Sequence, residues 1–185
     1  MTSQPDPQPS VGAALAAIAR HPVRSLLAGW NWKAALLSAL YRAILFFVVA
    51  LRGGWKAALA ALSLEALYRV IASGFQGVFT QALYRARPTW LAALIALIAV
   101  PALLQGFEYL VHWLAGTPGL WLAFLISTAA AAVASLFTWF AMRRGALLVG
   151  KNTSSFGEDL RRMPRLIGEF LIALPLLILN RKQTR

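Results

Sequence analysis

The chain contains no cysteine, which excludes a disulfide framework, an iron–sulfur cluster and thiolate catalysis. Histidine is nearly as scarce, with only His21 and His112, so neither a metal centre built from one chain nor any other cofactor is expected. Acids are few: six Asp and Glu stand against eighteen Lys and Arg, a net charge of +12. An aspartate-rich magnesium site, a zinc-protease helix and a nucleophile elbow are all missing. Met1 to Ser10 carries no Lys or Arg ahead of the apolar run Val11–Ala19. A secretory signal is therefore not expected, and insertion should use the first retained span.

What the chain has in plenty is apolar surface. Its apolar fraction is 59% and its mean hydropathy +0.65, above the roughly 45–50% of soluble proteins. The excess is gathered into blocks with the basic residues at their ends, an arrangement that argues against a nucleic-acid partner and for lipid. The expected fold is all-α, an integral membrane bundle with crossings at 34–51, 55–80, 90–114 and 120–142. Residues 1–10, with three prolines, read as a disordered tail. Residues 11–33 read as an amphipathic segment on the membrane surface, with Arg20, Arg24 and Lys33 near anionic lipid headgroups.

Tryptophan favours the headgroup level, and all seven indoles (Trp30, Trp32, Trp55, Trp90, Trp113, Trp121, Trp139) fall near an inferred span boundary. Basic residues crowd the N-terminal side, the second loop (Arg85, Arg87) and the segment after the fourth span (Arg143, Arg144, Lys151, Arg161, Arg162, Arg165), whereas the loop 115–119 has none. Arg52 and Lys56 in the first loop argue the other way. The charge rule places the N-terminus and the basic segment 143–185 in the cytoplasm, in an inner membrane. Within that segment Ser155-Phe-Gly-Glu158 is a capping-box pattern that starts a short interfacial helix, which Pro164 should end. The apolar stretch 166–179, interrupted by Glu169 and Pro175, reads as a hairpin, re-entrant or surface-lying element, with a fifth crossing as the alternative that would leave Arg181, Lys182 and Arg185 outside against the charge rule.

Trp-Lys-Ala-Ala-Leu occurs at Trp32 and at Trp55, and Ala-Leu-Tyr-Arg ends at Arg42, Arg69 and Arg85. No solenoid period continues from them, and the matches fit either a small duplication or chance in a chain this rich in Ala and Leu.

Three constellations carry the chemistry that can be read. Arg42 and Glu65 lie eleven and twelve residues either side of Gly53, at about the same membrane depth if the helices form a hairpin, and Arg69 is one turn beyond Glu65. Such a cluster either docks two helices as an ion pair or binds an anion. Gln105, Glu108 and His112 share the third span, with Glu108 and His112 at i and i+4, so a polar relay is conceivable beside plain contact with interfacial water. Ser127, Ala131 and Ser135 recur every fourth residue, as do Ser73 and Gly77, the small-residue spacing that lets helices approach closely.

Two near-motifs fail on context. Gly145 to Lys151 resembles a phosphate-binding loop, but Asn152 stands where Ser or Thr is needed and no strand precedes it. Asn152-Thr-Ser154 matches a glycosylation acceptor on the cytoplasmic side, where glycosylation does not occur. The functional expectation is a non-enzymatic membrane subunit or packing partner, homo-oligomeric or within a larger membrane complex. A small oligomeric transporter or channel is the alternative, and a lipid-modifying enzyme using Glu108 and His112 a third reading.

Overall fold

The computed structural model describes residues 8–40, 55–114 and 120–180, with side chains placed at all of these except 56–69, 111, 112, 120, 122, 123 and 174–180. The described residues form helices joined by loops and contain no strand. In chain order they form α1 (Val11–Arg20), α2 (Pro22–Ala28), α3 (described over 32–40) and α4 (Trp55–Leu83). There follow α5 (Thr89–Leu94), a π turn (Ile95–Ala99), α6 (Val100–Leu114), α7 (Leu120–Arg143) and α8 (Phe156–Asn180).

Two stretches among the described residues are long and apolar enough to cross a membrane: Thr89–Leu110, 22 residues at mean hydropathy 2.1, and Phe124–Arg143, 20 residues at 1.8. The core helix of a soluble protein passes the same test of length and composition, but such a helix is mostly buried. Here only 22% of each stretch is buried, and Leu94, Ile98, Leu103, Phe107, Leu125, Ile126 and Val133 face outward. That distribution points to membrane association. The other two expected crossings are not matched in this way: 34–51 is described only to residue 40, and 55–80 lies in α4, where the side chains of 56–69 are outside the described set.

The helix that carries the first of these two stretches is in three parts, α5, the π turn and α6. The π turn comes just before Pro101, whose missing N–H and bulky ring cannot be fitted into a regular ladder, and a widened turn is a common way for a helix to pass such a residue. On the inner side, Ala92 and Ala96 are fully buried and pack with Trp139, Leu83, Ala86, Val11 and Ala14. α1 is thus docked on the bundle through Val11 and Ala14. Its N-terminus is pinned as well: Ser10 caps it through Ala13 N–H at 3.1 Å, Arg87 N–H donates to the Pro9 carbonyl at 3.0 Å, and Val11 N–H donates to the Arg87 carbonyl at 2.9 Å. Residues 8–10 are therefore held rather than part of a loose tail.

Three further expectations are corrected. Pro164 does not end the last helix, because α8 runs unbroken for 25 residues. A proline inside a helix costs about 3 kcal/mol, a penalty that burial of Met163, Leu166 and Phe170 offsets at about 1.5–3 kcal/mol per side chain. Lys33 does not reach toward lipid phosphates but is 3% exposed, inside the bundle. Trp139 is buried and Trp30 sits against Gly74, where a Cβ would overlap the indole. Trp32, Trp55, Trp90, Trp113 and Trp121 remain exposed.

Candidate functional site

The capping box at Ser155 forms as its pattern requires: Ser155 N–H donates to Glu158 Oε2 at 2.8 Å, and Glu158 N–H donates to Ser155 Oγ at 3.2 Å. This start of α8 carries Asp159 inward, where it is fully buried. Lys33 Nζ meets Asp159 Oδ2 at 2.8 Å, with the side chains 4% and 0% exposed. Ser154 Oγ donates to the other carboxylate oxygen at 2.6 Å, and Leu147 N–H donates to Oδ2 at 3.2 Å. Lys33 also donates to the Ser154 carbonyl. The carboxylate has an opposite charge and two further donors, the condition under which a buried pair is tolerated.

A second set of polar groups adjoins it. Asn31 Nδ2 donates to the Leu147 carbonyl and to Gln81 Oε1, each at 2.9 Å, and Asn31 Oδ1 accepts from Ala34 N–H at 2.9 Å, capping α3. Gln81 donates to the Val149 carbonyl at 2.6 Å and accepts from Val149 N–H at 2.9 Å. The starts of α3 and α8, the end of α4 and the loop 144–155 are thereby clasped together. Leu147, fully buried, adopts φ 59°, a left-handed conformation costing a non-glycine residue about 1–2 kcal/mol. Both of its backbone polar groups are taken by the network, which holds it there. The phosphate-loop likeness of 145–151 therefore reflects a structural loop whose amides serve Asp159 and Gln81.

Beside this clasp lies an open groove of about 420 Å³ between α3, α4, α7 and α8. Leu37, Phe137, Met163 and Phe170 supply apolar wall, and Ser38, Ser73, Gln76, Thr80, Ser135 and Thr138 a polar strip. Ser73 Oγ donates to Ser38 Oγ at 2.8 Å, and Gln76 Nε2 donates to Ser135 Oγ at 2.6 Å. Gly77 brings α3 and α4 together: a Cβ there would stand 2.6 Å from Asn31 Cβ and 3.4 Å from Ala34 Cβ.

The relay residues meet the other span. Gln105 Nε2 donates to Thr128 Oγ1 at 3.1 Å and to Ser127 Oγ at 3.3 Å, and Ser127 Oγ donates to Glu108 Oε1 at 3.4 Å. The His112 side chain lies outside the described residues. The serine stripe of α7 is thus divided: Ser127 faces α6, Ser135 faces α4, and the Ala131 carbonyl accepts from Ser135 Oγ at 2.7 Å. The Arg42, Glu65 and Arg69 cluster lies outside the described residues, as Arg42 itself and the side chains of Glu65 and Arg69 are not among them.

α8 is fixed to the end of α7 by a third contact set. Arg144 stacks over Phe140, 3.5 Å from its centroid, and donates to Glu169 at 2.8 Å, while Arg165 donates to the other oxygen at 2.8 Å. These hydrogen bonds, that from Arg165 first and that from Arg144 second, hold the Glu169 carboxyl below the usual carboxylate range. Phe170 packs edge-on against Phe137 and Phe140, both at 5.4 Å.

Sequence reading missed the Lys33–Asp159 pair and the Asn31–Gln81 clasp. Asp159 alone among the acids follows directly on a capping box, the one local sign that it sits on a fixed helix start. No family model, curated protein or solved structure matches this chain.

Proposed function

We propose that this chain is a non-enzymatic, multi-pass protein of a cell inner membrane that serves as a packing partner in a larger membrane assembly, with its N-terminus cytoplasmic. The observation that carries this reading is the inverted distribution of side chains. Large apolar residues face outward along both spans, and the polar side chains Gln105, Ser127 and Ser135 turn inward and bond across helices, Gln105 to Ser127 and Ser135 to Gln76, the pattern expected where lipid is the solvent. The buried ionisable pair, Lys33 and Asp159, is engaged in holding helix starts and a loop together. Its bonds serve docking rather than turnover.

A transport role has one specific observation in its favour, the polar strip along the groove. Mild detergent extraction followed by mass spectrometry of the intact particle separates the two. A different polypeptide in fixed stoichiometry supports the packing role. A homo-oligomer retaining a small polar or anionic molecule supports transport and overturns it.

A further inference from the structure

Where α4 ends and the first span begins, Arg85 and Arg87 meet Arg143 from the last turn of α7 around a pocket of about 180 Å³. Tyr84, Thr89 and Gln8 complete the wall, and no acidic side chain among the described residues lines it. This sets it apart from the neighbouring Arg144, which is paired with Glu169. The site is braced. Arg87 has both backbone groups bonded to the N-terminal segment, and its Nε donates to Gln8 Oε1 at 2.7 Å, which fixes the plane of the guanidinium. Arg143 lies 6.0 Å from the Trp139 ring centroid and Arg85 5.5 Å from that of Tyr84.

We propose that this pocket binds a phosphate group. Three guanidinium groups with no acidic side chain beside them among the described residues repel one another, and an anion placed among them removes that repulsion. Guanidinium forks match tetrahedral oxyanions bidentately, and a phosphate offers enough oxygens to serve several forks at once. The volume is about six times the roughly 30 Å³ that one water occupies in the liquid, ample for a phosphate with its ester oxygens. The pocket sits at the ends of both spans, the level at which a bilayer carries its headgroups, so the phosphate is either that of an anionic lipid or a free one. The lipid source rests on the membrane reading above; the phosphate chemistry does not.

The full chain, purified in neutral detergent, is titrated separately with inorganic phosphate, short-chain phosphatidic acid and short-chain phosphatidylcholine while thermal unfolding is followed. A bound ligand raises Tm with its concentration. Stabilisation by phosphatidic acid alone assigns the site to a headgroup, and equal stabilisation by inorganic phosphate assigns it to a free anion. Arg87→Gln and Arg143→Gln should each weaken binding about tenfold, and Arg143→Lys less, because one charged hydrogen-bonding group is lost or kept. Arg161→Gln removes the same charge elsewhere on the surface and should leave affinity unchanged. The proposal is overturned if neither phosphate ligand raises Tm, if phosphatidylcholine does so equally, or if Arg161→Gln weakens binding as much as the pocket variants. In that outcome the arginines would only offset the negative ends of α4 and α7. Because the readout is made on the isolated chain, it stands apart from whether a partner polypeptide exists.

Discussion

Lys33 and Asp159 show how little a residue's type says without its contacts. Each reads along the chain as an ordinary flanking charge, one before an apolar block and one in a polar helix start. In the fold they form an ion pair buried on both sides. Removing one partner strands the other in a poorly solvated place, at about 3–5 kcal/mol. Lys33→Met and Asp159→Leu should therefore each lower unfolding stability in detergent by about that amount. The double variant should lose clearly less than the sum, though not nothing, since Ser154 Oγ and Leu147 N–H also lose their acceptor. A double variant as unstable as the two losses added together would refute the pairing. The residues that chain order did disclose were those whose partners are close by, Ser155 and Glu158 above all. Lys33 and Asp159 are 126 positions apart, and no periodicity spans that distance.

At the level of elements, apolar run length disclosed helices at 90–114 and 120–142, within a residue of where they start and end, because a helix surrounded by lipid or by apolar neighbours needs little beyond length and hydropathy. α8 was misread at Pro164 since propensity weighs the missing hydrogen bond and not the tertiary face of Asp159, Met163, Leu166 and Phe170 that the helix buries. Gly74, which receives Trp30, escaped notice because its role depends on what approaches it. The outer hold on α8 is electrostatic and should respond to acid. Glu169 has a folded-state pKa below its ordinary value, so the unfolded chain takes up its proton first as pH falls. Its contribution is fully present above the ordinary carboxylate range and is lost as pH drops through the lowered value. Melting temperature followed from pH 7 into that acid range should fall more steeply for the native chain than for Glu169→Gln. The difference should shrink in high salt, since Glu169 is partly exposed. Parallel profiles would remove this carboxylate from the account.

Over the whole molecule, several of the described basic residues are brought together beside the end of α7. Arg85, Arg87 and Arg143 share a pocket, Arg162 donates to the Arg144 carbonyl at 2.9 Å, and Val149, two residues before Lys151, is bonded to the end of α4 through Gln81. Under the orientation proposed above, this would be the cytoplasmic end. Since the chain has no cysteine, single introduced thiols report on sidedness without background. Thr117→Cys should react with a membrane-impermeant maleimide in intact cells, whereas Arg24→Cys and Lys151→Cys should react only after lysis. The reverse pattern would invert the orientation, and labelling of all three in intact cells would remove the membrane reading.

The clasp between the starts of α3 and α8 also sets a timetable for biogenesis. A ribosome adding about 5–20 residues per second needs roughly 6–25 s to pass from Lys33 to Asp159, which lie 126 positions apart. Throughout that interval Lys33 lacks the carboxylate of its native pair. The start of α3 can be clasped to α8 only after Asp159 has been translated, whereas α1 already finds its seat on α4 and α7.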